Sequence, residues 1–153
     1  MANTFSQIYI QIVFAVKGRD NLINKEWEER LYQYMTGIVR AKGQKLIAIN
    51  GMPDHIHIFI GMKPDCCLSD LIREVKKASN LFVSENKLSK FKFSWQEGFG
   101  AFSYSISQID DVYKYIMNQK QHHRKITFRE EYLDFLHKFK VEYNEKYLFE
   151  WYD

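Results

Sequence analysis

Hydrophobic and polar residues alternate through Ser6–Val16, where Tyr9, Gln11 and Val13 interleave with Ile8, Ile10 and Ile12. This period-two pattern, rich in β-branched and aromatic residues, predicts a central β-strand. The spacing then changes. Asn24 is placed to cap a helix whose stripe is Trp27, Leu31, Tyr34, Met35 and Ile38. Alternation returns in Lys45–Asn50 and His55–Met62, and Gly51-Met52-Pro53-Asp54 between them has the residues of a hairpin loop. Leu68, Leu71, Ile72, Val75, Ser79 and Phe82 mark a second helix, with Arg73, Lys76 and Lys77 directed toward solvent. After a Lys-rich connection, Trp95, Gly98 and Gly100 lead into a fourth strand, Ala101–Ile106. The order βαββαβ predicts an α+β fold with a ferredoxin-like antiparallel sheet.

Ser107 followed by Asp110 reads as a capping box that opens a third helix over Gln108–His122. Thr127 with Glu130 repeats the signal, ahead of a stripe of Phe128, Tyr132, Phe135, Leu136 and Phe139. The pattern divides the chain into a core of residues 1–126 and a helical extension of residues 127–153. The tail from Tyr143 to Asp153 is rich enough in aromatics to require a surface to pack on, in this domain or in a second subunit.

At 153 residues the chain has the length of one ordinary domain, and with 46% hydrophobic and 27% charged residues its composition is globular. No apolar run approaches the ~20 residues that cross a membrane. The N-terminus also lacks the basic-then-apolar plan of a signal peptide, so a cytoplasmic protein is expected. Cys66 and Cys67 are adjacent and read as reduced thiols, since neighbouring cysteines rarely reach an unstrained disulfide geometry. The net charge of +3 does not itself demand a nucleic-acid partner. It leaves room for a basic face, which Lys114, Lys120, Arg124 and Lys125 form around the third helix.

Candidate chemistry begins with His55 and His57. Residues i and i+2 of a strand point the same way, so their imidazoles can converge on one ion. A lone H-x-H pair is more often an ordinary hydrogen-bonded pair, but here Asp54 precedes it and Ile56, Ile58 and Ile60 take the opposite, core-like face. On the third helix, Tyr115 and Gln119 stand one turn apart, ~6 Å on a common face. A tyrosine there is usually packing, and it gains interest only beside the histidines. A phenol is a weak nucleophile at neutral pH and needs help, such as a divalent ion that polarises a phosphoryl oxygen. Two imidazoles and a carboxamide carry no negative charge, which suits Mg²⁺ or Mn²⁺ with water and substrate oxygens completing the shell. A hydrolytic zinc site more often includes a carboxylate or a third imidazole. His122 and His123 can face the same cavity or simply complement the helix end.

The His55-Ile56-His57 segment resembles the HUH motif, U being hydrophobic, and Tyr115-Ile116-Met117-Asn118-Gln119 resembles the catalytic-helix motif of the single-tyrosine HUH transposases. These are the IS200-like transposases and their REP-associated relatives. The similarity extends to Phe14-Ala15-Val16, to Trp95 with Gly98-Phe99-Gly100-Ala101-Phe102, and to His122-His123. It implies that Tyr115 attacks a phosphodiester of single-stranded DNA to form a 5′-phosphotyrosine. It further implies that His55, His57 and Gln119 hold the divalent ion, that hairpin DNA is recognised, and that the protein is a homodimer. Arg73, Lys76, Lys77, Lys114, Lys120 and Arg124 then become candidate DNA contacts. The competing expectation is a non-catalytic ferredoxin-like module that binds single-stranded nucleic acid by stacking bases on Tyr9 and Tyr104 of the sheet face.

Overall fold

The computed structural model describes residues 3–19 and 22–152; Met1, Ala2 and the last residue of the aromatic tail, Asp153, lie outside the described residues. Four strands, β1 (Tyr9–Ala15), β2 (Lys45–Met52), β3 (His55–Gly61) and β4 (Gly100–Tyr104), form one antiparallel sheet in the order β2-β3-β1-β4. The connecting helices are α1 (Glu28–Ala41) and α2 (Leu68–Glu85). This is the ferredoxin-like plan, with the most apolar strands, β1 and β3, at its centre.

Because strand side chains alternate, the sheet has two distinct faces. Ile12, Phe14, Ile56, Ile58 and Ile60 face α1 and α2 and form the main core with Leu31, Met35, Leu71, Ile72 and Val75. The other face carries Gln11, His55, His57, Phe59 and Phe102. It is covered by α3 (Ile109–Met117), α4 (Gln119–His122) and α5 (Phe128–Lys138), with Ala48 and Phe59 packed on Val112 and Ile116. That cover occupies most of the face on which a non-catalytic binder would stack bases, leaving Tyr104 open only toward a cleft between the helices. Tyr104 donates its edge to packing against Phe139 and accepts a hydrogen bond from Gln11, while Tyr9 leans on Phe59.

The third helix departs from its predicted span. The capping box is Ser105 with Gln108, not Ser107 with Asp110, and it starts a short 3-10 turn before α3. The helix also breaks at Asn118, whose φ of −97° and ψ of 19° are not helical. Asn50 on β2 makes the break tolerable: its side-chain amide donates to the carbonyls of Ile116 and Met117, at 3.0 and 3.2 Å. In α1, the buried stripe is Leu31, Tyr32, Met35 and Val39. Tyr34 is 38% exposed because its ring stacks on Phe82 of α2, at 4.1 Å, along the rim of the helix pair.

Lys76 does not point to solvent as predicted. Its ammonium turns inward to the carbonyls of Gln96 and Gly98, at 2.9 and 2.6 Å, and lies 5.2 Å from the Phe14 ring centroid. Gln96 in turn clamps the tail by pairing with both the N–H and the carbonyl of Glu150. Phe149 and Trp151 pack on Phe128 and Tyr132, and the Tyr152 hydroxyl accepts the Gly18 N–H at 2.7 Å. Tyr147 is left 76% exposed.

Gly51 sits where a Cβ would collide with the backbone of His55 and Ile56 across the hairpin. Gly51→Ala should therefore destabilise the protein by ~1–3 kcal/mol, the usual cost of overpacking, read as a lowered midpoint in urea denaturation.

Candidate metal and tyrosine site

The hairpin strand β3 delivers His55 and His57, both fully buried, to the covered face of the sheet. Each ring is fixed by an acceptor at Nδ1. For His55 it is the Asp54 carboxylate at 2.7 Å. For His57 it is Gln11 Oε1, also at 2.7 Å, and Gln11 is itself oriented because its NH₂ donates to the Tyr104 hydroxyl at 2.9 Å. A third imidazole, His123, donates from Nδ1 to the Ile126 carbonyl at 3.0 Å. Pinning Nδ1–H outward selects the tautomer with the Nε2 lone pair facing inward. Three such nitrogens then surround one carboxylate oxygen, Glu131 Oε1, at 3.3, 3.2 and 2.9 Å from His55, His57 and His123.

Glu131 is only 2% exposed. Burial alone would protonate it, but positive charge on the imidazoles around it, and the hydrogen bonds they donate when Nε2 carries a proton, outweigh burial and hold its carboxyl far below the usual range. His57 is pushed down, chiefly by burial. Burial pushes His55 down as well, but its bonds to Asp54 and Glu131 prevail and raise it to about 9. Lone pairs and a carboxylate cannot share so small a space without positive charge between them. In the ion-free protein His55 supplies that charge as a proton.

The same donors suit a metal ion. The ligand atoms of His55, His57, His123 and Glu131 all lie within 4.8 Å of one another. Gln119, fully buried, adds its Oε1 3.3 Å from His55 Nε2 while its NH₂ donates to Glu131 Oε2 at 3.0 Å. Beside the neutral set expected from the sequence, His55, His57 and Gln119, the structure places a carboxylate and a third imidazole.

Tyr115 meets this cluster from α3. Its hydroxyl donates to Glu131 Oε2 and lies 3.2 Å from His122 Nε2, with the ring edge-on to His57 and Phe135. Burial, then the Glu131 charge, push the phenol well above its ordinary pKa.

Residues 4–119 match the family described as "Transposase IS200 like". The chain belongs to this family. It is 24% identical over 118 residues to the ISDra2 transposase TnpA of Deinococcus radiodurans, covering 74% of this chain and 84% of that protein. Its fold is similar to the crystal structure of a protein assigned as a transposase from Deinococcus radiodurans, with a TM-score of 0.62, 22% identity, and coverage of 76% of this chain and 94% of that one. It is also similar to a REP-associated tyrosine transposase bound to a REP hairpin, with a TM-score of 0.61, 16% identity, and coverage of 79% and 72%.

In this transposase the family match spans His55, His57, Tyr115 and Gln119 and ends before His123 and Glu131. Glu131 escaped the sequence reading, although one signal was present: it is an ionisable residue on the apolar stripe Phe128, Tyr132, Phe135. The sequence marks Asp54 beside the histidine pair without giving it a role, and Gln11 only as a strand residue. Of the six basic candidates, Arg73 and Lys77 are exposed on α2, across the sheet from the site, and Arg73 pairs with Asp70 at 2.8 Å. Lys114 and Arg124 are exposed on the site's own face, while Lys120 is engaged with Glu28 and the Gly51 carbonyl.

A raised folded-state pKa stabilises the protein below the unfolded value of 6.5 and loses that stabilisation as pH rises through about 9. Melts of chelator-treated protein should therefore show a decline on the order of 3 kcal/mol from His55 over that window. Asp54→Asn should flatten it. A decline of the same size in the variant would refute this assignment. Gln11→Ala, which frees the His57 ring, should weaken ion binding ~10–100-fold in calorimetric titration.

Proposed function

We propose that this transposase cleaves and rejoins single-stranded, hairpin-bearing DNA through a 5′-phosphotyrosine at Tyr115. The observation that carries the reading is the Tyr115 hydroxyl held against the buried cluster of three imidazoles, a carboxamide and Glu131. His55, His57, His123, Glu131 and Gln119 would hold a divalent ion. Three imidazoles favour Mn²⁺ over Mg²⁺, which prefers oxygen and water. When bound, the ion supplies Lewis-acid charge to the phosphoryl oxygen and offsets the carboxylate.

Tyr115 Oη forms a bond to phosphorus as the bond from phosphorus to the 3′-oxygen breaks. The phenolic proton leaves through the hydrogen bond to Glu131 Oε2, which relays it without keeping it, and by way of solvent one proton reaches the departing oxygen, which ends as a 3′-hydroxyl. Attack by a 3′-hydroxyl on the phosphotyrosine reverses these bonds, so no external energy source is needed. The likeness to a REP-associated transposase bound to a hairpin supports a hairpin substrate. Lys114 and Arg124, exposed beside the site, are the leading phosphate contacts, with Arg73 and Lys77 as a distal set and Lys76 and Lys120 already engaged within the chain. We assign a homodimer as the working unit, in which Tyr115 already faces the histidines of its own chain.

Hairpin-bearing single-stranded oligonucleotides with Mn²⁺ should give a covalent protein–DNA adduct on a denaturing gel, absent with EDTA or with Tyr115→Phe. An adduct that persists with Tyr115→Phe would refute the assignment. Glu131→Gln and His123→Ala should each reduce ion affinity ~10-fold or more, by removing a donor and leaving its buried partners unpaired.

A further inference from the structure

A cavity of about 400 Å³ opens beside Tyr115, between α3 and α5. That volume falls within the ~300–1,000 Å³ usual for small-ligand sites. Tyr104 lines it from the sheet, and Val112 and Phe135 from the two helices. Asp111, one helical turn before Tyr115, and Asp134, one turn after Glu131, are exposed carboxylates at its rim.

We propose that this cleft is a nucleobase pocket, which takes the base adjoining the scissile phosphate and prefers bases with an exocyclic amine. The inference rests on the reading that a DNA strand is cut at Tyr115. The position follows from the cavity lining, which runs without interruption from Tyr115, His122 and Glu131 to the two rim aspartates. A strand whose phosphate is at the tyrosine has its neighbouring base within reach of the cleft.

Charge decides which part of the strand enters. With Glu131 balanced by its imidazole partners, Asp111 and Asp134 outnumber Lys138 in the lining, so the rim disfavours a phosphate and accepts a neutral base. Enzymes that act on nucleic acid commonly hold an extruded base between apolar and aromatic walls while reading its polar edge. Val112, Phe135 and Tyr104 offer such walls. Carboxylates accept hydrogen bonds only, which suits the amine of cytosine or adenine, whereas thymine presents a carbonyl and a methyl group there. The basic residues Lys114 and Arg124 lie outside the lining, leaving the backbone a separate path.

The test uses the full chain, ¹⁵N-labelled and loaded with Mg²⁺, titrated separately with deoxycytidine, deoxyadenosine, thymidine and inorganic phosphate. The two amine-bearing nucleosides should shift amide resonances in residues 108–115 and 131–138 about tenfold more tightly than thymidine, the worth of one hydrogen bond to a charged group. Phosphate should leave the resonances of Asp111 and Asp134 at the rim unmoved, whatever it does at Tyr115. Asp134→Asn, Asp111→Asn and the double variant should erase the preference; the single variants guard against a fold defect in the double. Equal shifts for all nucleosides, no shifts in the cleft, or a preference unchanged in the variants would each overturn the proposal. Sequencing the DNA ends captured in adducts separates the two readings. Adducts with no base bias beside the phosphotyrosine sink the pocket alone, whereas selective nucleoside binding without any adduct sinks the cleavage reading and leaves the pocket standing.

Discussion

A carboxylate buried as deeply as Glu131 can remain ionised only where the protein replaces the water it has lost. Here the replacement comes from three imidazoles, a carboxamide and a phenol, brought together from four segments of the chain. β3 brings two of the imidazoles, the segment after α4 brings the third, and α5 brings the carboxylate itself. Because the rings are tied outward through Asp54, Gln11 and the Ile126 carbonyl, their remaining nitrogens are committed to the same small volume. Charge balance at that point requires a cation, a proton at His55 or a metal ion. The site is therefore both a stability element and a binding element, and the two cannot be separated.

The break at Asn118 is the local event that makes this convergence possible. An uninterrupted helix would place Gln119 and His123 simply as later positions on the Tyr115 face. With the helix ended at Met117 and restarted at Gln119, the phenol, carboxamide and imidazole approach the carboxylate from different directions. Asn50 compensates the freed carbonyls from the neighbouring strand, and Lys120 ties the restarted turn to Glu28 and the hairpin. The α5 helix closes the arrangement with Phe128 stacked on His55 at 3.8 Å and Phe135 beside Tyr115. Those rings exclude water from the interior side while Tyr115 stays half open to the cleft.

Charge on the outside is arranged in two ways that bear on a polyanionic substrate. Lys114 and Arg124 stand on the covered face near the site, whereas Arg73 and Lys77 lie beyond the sheet. Between α3 and α5 the sign reverses, with Asp111 and Asp134 at the rim. Cationic residues thus stand beside an anionic cleft, the charge pattern on which the proposed separation of backbone from base rests.

The sequence by itself determined the strand–helix order, the ferredoxin-like sheet and the shared face of His55 and His57, because these follow from local periodicity. A period of two puts alternate strand residues on one face whatever surrounds them, and a period near 3.6 separates buried from exposed helix positions. The Tyr115 and Gln119 pairing gained its weight from the histidines and the family resemblance, not from helical spacing, and the helix expected to carry both breaks between them. Only the tertiary structure decided that Glu131 and His123 join the site, that Gln11 and Asp54 set the histidine tautomers, and that Lys76 turns inward. Most of those outcomes depend on contacts distant in sequence, 46 residues for Gln11 with His57, 74 for His57 with Glu131, and 20 and 22 for Lys76 with Gln96 and Gly98. Even the near contacts, Asp54 with His55 and His123 with Glu131, take their role from where the other partners sit. A buried carboxylate on an apolar stripe announces only that it needs partners, and the packing of α5 onto the sheet determines which ones it finds.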